Sequence, residues 1–258
     1  RVLSYEIDTW NPEGESLIWV KVPLMTTGAK LKMAWGRSYG TRPLKNKPSA
    51  VWSDYVTVLH FNEEINERQA PTAHSVDASD HGFDAVPASY NTSPTHLEDA
   101  VSVEEGVFGR ARRNRAEATA GSGNVNNRSA RFEIPASTNL TLSSTFVVSG
   151  WFKEDYDLSR WTLGPAVVSR QSTVRLSNKI CAETNGWFVG LKPQTPSAVF
   201  AQGAGSQEEL YSSLDSALNV NATADSKRID QAGWVFFSAA YEGSNLRLAA
   251  GSGEFFAV

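Results

Sequence analysis

The feature that most constrains the fold is a set of short runs in which apolar and polar residues alternate, each bounded by turn-forming residues. In residues 145–153, Phe146, Val148 and Phe152 fall on one face of a strand, whereas Trp151 falls on the other. Comparable runs surround three further tryptophans: Trp19, Trp187 and Trp234. Short strands separated by glycine, serine and asparagine favour an antiparallel β-sandwich of the jelly-roll type.

The pattern divides the chain into a short first segment and a longer second one. Residues 1–52 are compact and strand-rich, and we expect them to form a small N-terminal β segment. Residues 53–258 are long enough for one β-sandwich domain. Helix-compatible spacing is weak and confined to residues 207–218, so we expect an all-β chain.

The positions of the tryptophans lead to two structural expectations. Trp10 and Trp52 stand near the ends of strand-like runs, and we expect them to pack the junction between the two segments. Trp151, Trp187 and Trp234 stand within strand runs, and we expect them to lie in the core.

Composition excludes several classes of function. The net charge of −4 gives no electrostatic footprint for nucleic acid, and no apolar stretch approaches the ~20 residues of a membrane span.

The single cysteine, Cys181, cannot form an internal disulfide. The basic run formed by Arg110, Arg112, Arg113 and Arg115 has no interleaved aromatic residues, and we interpret it as a solvated loop.

Three motifs of the first segment lie in residues 3–11, 16–23 and 33–36. In their order and with similar spacing they resemble the C-terminal part of the DUF2341 family. Within residues 55–258, further motifs lie in residues 58–63, 77–85, 106–111, 146–153, 167–170, 186–191 and 234–248. These motifs resemble, in the same order, those of concanavalin A-like domains of the laminin-G type. The second resemblance implies a concanavalin A-like β-sandwich.

A short acidic stretch is the candidate metal site. Asp77, Asp80 and Asp84 present hard carboxylate oxygens at loop spacing, which suits Ca²⁺, and the laminin-G resemblance also implies calcium. The alternatives are a solvated acidic loop and an Asx turn, in which an aspartate binds its own backbone.

Trp161 is the candidate platform for a sugar, because it lies between strand runs and outside the alternating pattern. Arg160 beside it would bind hydroxyl groups; the alternative is that Trp161 caps the edge of the core. Glu6 and Asp8 have the spacing of paired carboxylates, but the family resemblance treats them as ordinary residues. No catalytic motif is present.

Together these features indicate a binding module rather than an enzyme, although catalysis stays open. The resemblances imply a bacterial protein that is extracellular or at the cell surface, with the periplasm as an alternative. They also imply that this chain is part of a larger parent protein and has the other domains of that protein as partners. Its expected partner is a glycan or glycoprotein. The alternatives are a hydrolase (glycosidase or protease) acting on mucin-like glycoproteins and a purely structural spacer domain.

Overall fold

The computed structural model describes strands and connections along most of the chain. It describes residues 2–36, 47–66, 68–69, 72–89, 100–103, 106–114, 116–117, 128–135, 140, 145–153, 166–176, 179–191, 199–203, 210–213, 233–242, 245–252 and 255–257. Within these residues the chain is mostly strand with almost no helix, as the sequence predicts. No helix in this part is long and apolar enough to cross a membrane.

The elements follow one another as a series of strands with one short helix. The strands are β1 (Tyr5–Thr9), β2 (Leu17–Val20), β3 (Val86–Ser89), β4 (Ala100–Val103), β5 (Ala111–Asn114), β6 (Ala116–Glu117), β7 (Arg128–Glu133), β8 (Thr145–Lys153), β9 (Ala166–Leu176), β10 (Lys179–Leu191), β11 (Val199–Gly203), β12 (Leu210–Ser213), β13 (Trp234–Glu242), β14 (Asn245–Ser252) and β15 (Phe255–Ala257). The helix is α1 (Pro48–Val51), which begins at a proline whose fixed φ suits a first helical position. Of the helix-compatible stretch 207–218, residues 210–213 form the strand β12 and not a helix, and the rest of the stretch lies outside the described residues.

The chain forms two compact units, Arg1–Leu140 and Thr141–Val258. Residues 1–52 therefore belong to the same compact unit as the segment that follows them. The domain boundary that we expect at residue 52 is based on the two family resemblances, and it stays a prediction.

The second unit is built on two four-stranded antiparallel sheets. Their strand orders are β12-β11-β10-β9 and β15-β14-β13-β8. Strands β11 and β12 of one sheet also contact β14 of the other. The buried face of β13 carries Val235, Phe237 and Ala239, which form part of the core. Gly150 of β8 pairs with Phe237, and its lack of a side chain leaves room for that ring.

Strand β8 confirms the predicted alternation but corrects one expectation about the core. Phe146, Val148 and Phe152 lie on its more buried face, whereas Trp151 lies on the face that solvent reaches. Trp151 is 38 % exposed and packs against Phe236 of the neighbouring strand, with ring centroids 5.2 Å apart. The expectation that Trp151 lies in the core is therefore wrong.

Trp234 is half-buried, and the side chain of Trp187 lies outside the described residues.

The first unit contains the sheets β1-β2, β3-β7-β6 and β4-β5, all antiparallel. Its described core includes Val51, Ile65, Phe83 and Ala85.

The basic run predicted as a solvated loop is partly a strand, because Arg112 and Arg113 belong to β5. The Arg112 side chain is buried, with its Nη2 3.4 Å from Glu63 Oε2 and its guanidinium 5.5 Å from the centre of the Phe132 ring. Burial lowers the pKa of Arg112, and the charge of Glu63 opposes that effect. The loop interpretation is wrong for these two arginines, and Arg115 lies outside the described residues.

Candidate functional site

Strand pairing places two carboxylates and a tryptophan on one face of the β1-β2 hairpin. Glu6 and Asp8 are two residues apart on β1; the pairing register shifts between Ile7 and Thr9, and the hydrogen bond from Trp19 keeps Asp8 on the face of Glu6. Trp19 on β2 stands directly opposite Glu6 in the register and therefore joins the same face. Its indole Nε1 donates a hydrogen bond of 2.9 Å to Asp8 Oδ2.

The buried carboxylate of Glu6 links the hairpin to residues much later in the chain. Its Oε2 accepts a hydrogen bond from the indole N–H of Trp52, just after α1. The same oxygen lies 3.2 Å from Nε2 of His60. Trp52 therefore packs the junction between residues 1–52 and the following segment, as the sequence predicts. Trp10, by contrast, is an exposed side chain.

Burial alone would raise the pKa of Glu6. The hydrogen bonds from His60 and Trp52, together with the positive charge that His60 carries when protonated, outweigh burial and lower the pKa below its ordinary value. Glu6 is therefore an ionised carboxylate at neutral pH, with a structural hydrogen-bonding role.

Around this carboxylate, four aromatic rings follow one another in edge contact. The successive pairs Tyr55–Trp52, Trp52–Trp19 and Trp19–Phe108 each have ring centroids 5.4 Å apart. The imidazole of His60 stacks on Trp19 at 5.1 Å with an interplanar angle of 6°. We call Tyr55, Trp52, Trp19 and Phe108 the aromatic row.

The two ends of the aromatic row reach solvent, whereas its middle is half-buried. Tyr55 is 51 % exposed and Phe108 is 45 % exposed. Because an exposed aromatic ring is an apolar surface already held in place by its neighbour, both ends offer a stacking surface to a ligand.

Hydrogen-bonded polar groups lie next to residues of the row. Asn62 donates to Asp8 Oδ1 at 2.8 Å and to Thr9 Oγ1 at 2.9 Å, and its Oδ1 accepts from the backbone N–H of Arg110 at 2.8 Å. Asn62 thereby joins the hairpin to the turn that carries Phe108.

Next to Tyr55 in the chain, Asp54 lies 2.7 Å from the Nζ of Lys21. The hydrogen bond and charge of that lysine lower the pKa of Asp54.

Gly109 lies in the turn that carries Phe108, and a substitution there tests the role of this turn. Its φ of +73° is unfavourable for other residues, and a Cβ atom there would lie 2.8 Å from Asn62 Oδ1. We expect Gly109→Ala to lower the free energy of unfolding by about 2 kcal/mol, from backbone strain and crowding of Asn62. The control is Gly28→Ala, because Gly28 has a φ of +78° with no atom near the added Cβ. Urea denaturation would contradict this account if both variants lost the same stability.

The predicted calcium residues form a hydrogen-bonded turn. Asp77 Oδ1 accepts from the backbone N–H groups of Val58 and Ser79, at 3.0 and 2.9 Å. Its Oδ2 accepts from the hydroxyl of Ser79 and the N–H of Phe83, at 2.8 and 3.1 Å. The bond to Ser79, two residues on, is the Asx turn weighed as an alternative. Burial raises the pKa of Asp77, but these hydrogen bonds outweigh it and the net shift is downward.

The other two aspartates serve the same turn. Asp84 Oδ1 accepts from the backbone N–H of Asp77 at 2.8 Å, and Asp80 is exposed with a φ of +75°. Among the described residues, no three or more His, Cys, Asp or Glu side chains come together as a metal site. Both carboxylate oxygens of Asp77 accept hydrogen bonds from N–H and O–H groups. The positive hydrogens of these donors occupy the positions that a cation would need. Calcium binding at this loop stays a prediction based on the sequence.

The predicted sugar platform, Trp161 and Arg160, lies outside the described residues. The residues that do come together in the first unit are others: Glu6, Asp8, Trp19, Trp52, Tyr55, His60, Asn62 and Phe108. Two local signals point to them: the Glu6–Asp8 spacing, and the position of Trp52 near the end of a strand-like run.

Comparison with protein-family models, with curated proteins and with solved structures gave no match. The case for a function therefore depends on the residues themselves.

Proposed function

We propose that this chain is a bacterial secreted or cell-surface module that binds carbohydrate, free or on a glycoprotein, through the aromatic row. The observation that carries the proposal is the row itself, with its half-buried middle and its exposed ends at Tyr55 and Phe108. One face of a pyranose ring is a patch of C–H groups, which packs on an aromatic ring while the hydroxyl groups stay free for hydrogen bonds.

The polar side chains beside the row offer acceptor oxygens to those hydroxyl groups, because both N–H groups of Asn62 are already donated, to Asp8 and to Thr9. Asp8 and Asn62 are hydrogen-bonded to each other beside Trp19, and the exposed Asp54, which precedes Tyr55 in the chain, pairs with the half-buried Lys21. Binding sites for small polar ligands combine aromatic surface with a few fixed polar groups, and the hydrogen bonds with Trp19 and with the backbone of Arg110 fix Asp8 and Asn62 before a ligand arrives. Preorganisation of this kind reduces the entropy lost on binding.

We further propose that residues 53–258 form a concanavalin A-like β-sandwich of the laminin-G type. Two antiparallel sheets of similar size, whose strands contact each other in the second unit, support this proposal. Sheets of a sandwich bury one face each, and the alternation of buried residues on β13 agrees with that arrangement.

Hydrolysis of mucin-like glycoproteins is the second candidate, because Glu6 and Asp8 share one strand face. A glycosidase needs one carboxylic acid whose pKa is raised so that it can protonate the leaving group. The pKa of Glu6 is lowered instead, and its Oε2 is held by Trp52 and His60. These observations favour binding over catalysis. A purely structural spacer is the third possibility, and it would bind nothing.

The test is a glycan-array screen of the full chain, run with calcium and with a chelator. We expect a hit whose affinity falls about tenfold, or ~1.4 kcal/mol, in Phe108→Ala and in Tyr55→Ala, because each removes an exposed stacking surface. The matched control is Trp10→Ala, which removes an exposed aromatic side chain outside the row.

Unchanged binding in both row variants would contradict the proposed site. No binding to any glycan by the folded chain would contradict the proposed function. Loss of binding in the chelator would add a metal ion to the site.

A further inference from the structure

The hydrogen-bond donors beside the middle of the aromatic row are already used within the protein. Asn62 gives one side-chain N–H to Asp8 Oδ1 and the other to the Thr9 hydroxyl, at 2.8 and 2.9 Å. The indole N–H of Trp19 goes to Asp8 Oδ2 at 2.9 Å. A ligand that contacts these side chains therefore finds their N–H groups already bound.

Acceptor oxygens remain beside the same ring. Each carboxylate oxygen of Asp8 accepts one hydrogen bond within the described residues, whereas a carboxylate oxygen can accept about two. The Oδ1 of Asn62 likewise accepts one, from the backbone N–H of Arg110. Asp8 and Asn62 are half-buried, so solvent still reaches them. The side chains beside Trp19 thus offer acceptors to a ligand.

The charge in the middle of the row is negative. Glu6 and Asp8 lie on the strand face that Trp19 joins. Among the residues that the structure describes, no lysine or arginine forms an ion pair with either carboxylate. The partner of Glu6 is His60, which is charged only when it is protonated. No fixed positive charge therefore balances the two carboxylates.

Ion pairs neutralise the cationic side chains near both ends of the row. At one end the Nζ of Lys21 lies 2.7 Å from Asp54 Oδ2. At the other end the Nη2 of Arg110 lies 3.4 Å from Glu64 Oε2. Because each cation has a carboxylate beside it, neither pair presents a net positive charge to a ligand.

We propose that the aromatic row selects neutral sugars that donate hydroxyl hydrogens and rejects sugars that carry a carboxylate or sulfate group, with Asp8 as the selecting acceptor. The inference rests on the proposed function, because it names the class of glycan that the same site takes. A sugar hydroxyl can donate to Asp8 while the C–H face of its ring packs on an aromatic side chain. A carboxylate or sulfate brings acceptors to a site of acceptors, and it meets charges of its own sign.

Matched oligosaccharides test this selectivity on the full chain. Each neutral glycan that binds on the array is compared, by isothermal titration calorimetry, with its uronic-acid or sialylated counterpart and with the methyl ester of that acid. We expect the free acid to bind about tenfold more weakly at low salt, and the difference to shrink at high salt as the repulsion is screened. The methyl ester keeps the bulk without the charge, so it should recover most of the affinity.

Two substitutions assign the effect to residues. Asp8→Asn removes a charge and presents an N–H donor, and it is expected to weaken the neutral glycan about tenfold and to narrow its advantage over the acid. Asp54→Asn changes a side chain that is 74 % exposed and removes the charge that pairs with Lys21. We expect this variant to bind the acid more tightly, about threefold, because the ammonium group then has no carboxylate partner.

The matched control is Asp80→Asn, the same change at an exposed position outside the row, and it should leave both affinities unchanged. Far-ultraviolet circular dichroism verifies that each variant is folded. If Asp54→Asn and Asp80→Asn bind the acid equally, the inference is wrong.

The remaining outcomes separate this inference from the proposed function. Acids that bind as tightly as their neutral counterparts would overturn the selectivity and leave carbohydrate binding in place. A methyl ester rejected as strongly as the free acid would also overturn it, because exclusion would then be steric. Absence of binding to every glycan would contradict the proposed function itself.

Discussion

Asp77→Ala is expected to lower the free energy of unfolding of the first unit by about 4 kcal/mol. The carboxylate accepts backbone N–H groups of Val58, Ser79 and Phe83, and alanine would leave these donors without a partner. A buried donor that loses its acceptor costs more than an average hydrogen bond contributes. Native-state hydrogen exchange measures the effect directly, and the amides of these three residues should lose most of their protection.

The control is Asp80→Asn, a change three residues away at an exposed position whose positive φ asparagine tolerates well. We expect a change within ±0.5 kcal/mol there, as for most surface substitutions. Equal losses in the two variants would show that the loop tolerates no change at all, and would contradict the specific role of the Asp77 carboxylate.

Glu6→Gln is expected to lower the free energy of unfolding by about 2 kcal/mol at neutral pH, because hydrogen bonds to a charged acceptor become bonds to a neutral one. The pKa of Glu6 is lowered in the folded protein from its ordinary value of 4.5. Its contribution is therefore fully present above pH ~4.5 and is lost as the pH falls through the lower folded-state pKa.

Stability of the wild-type chain should consequently fall on acidification in that window, and Glu6→Gln should show a shallower fall. Part of the fall will remain, because the pKa of Asp77 is lowered too. The matched control is Glu13→Gln, which changes an exposed glutamate of the β1-β2 turn and should keep the wild-type slope. Urea denaturation at a series of pH values measures all three slopes, and a wild-type slope in Glu6→Gln would contradict the role of its carboxylate.

How far the sequence predicts the fold is clearest in β8. Strand side chains alternate with a period of two, so the pattern of residues 145–153 identifies the strand and both of its faces. Which face is buried is a different question, because both carry large apolar residues: Phe146 and Phe152 on one, Val147 and Trp151 on the other. That choice depends on packing against other elements, so the position of Trp151 within a strand run leads to the wrong expectation.

The candidate site was harder to predict, since its contacts join residues that are far apart in the chain. Asp8 meets Asn62, and Glu6 meets His60, in both cases 54 residues away. No local pattern encodes such a pair. The sequence does place Glu6 and Asp8 on one face and Trp52 at the junction, which is the part that follows from short-range spacing.

The acidic stretch shows a third kind of limit. Asp77, Asp80 and Asp84 have a spacing that suits either a cation or a hydrogen-bonded turn, because both use carboxylate oxygens close together in a loop. The two outcomes differ in whether backbone N–H groups point at those oxygens. At Asp77 they do, and this depends on Val58 and Phe83, whose positions only the folded chain defines.

The most direct test of carbohydrate binding at the aromatic row is a nuclear magnetic resonance titration of the assigned tryptophan indole N–H groups with a glycan selected on the array. Trp19 and Trp52 are the two middle residues of the row, and their indole N–H groups donate to Asp8 and to Glu6, so they report on that site. We expect saturable shifts of these two resonances, with those of Trp151 and Trp234 unchanged. Saturable shifts at other tryptophans while Trp19 and Trp52 stay unchanged, or no saturable shift at all, would contradict it.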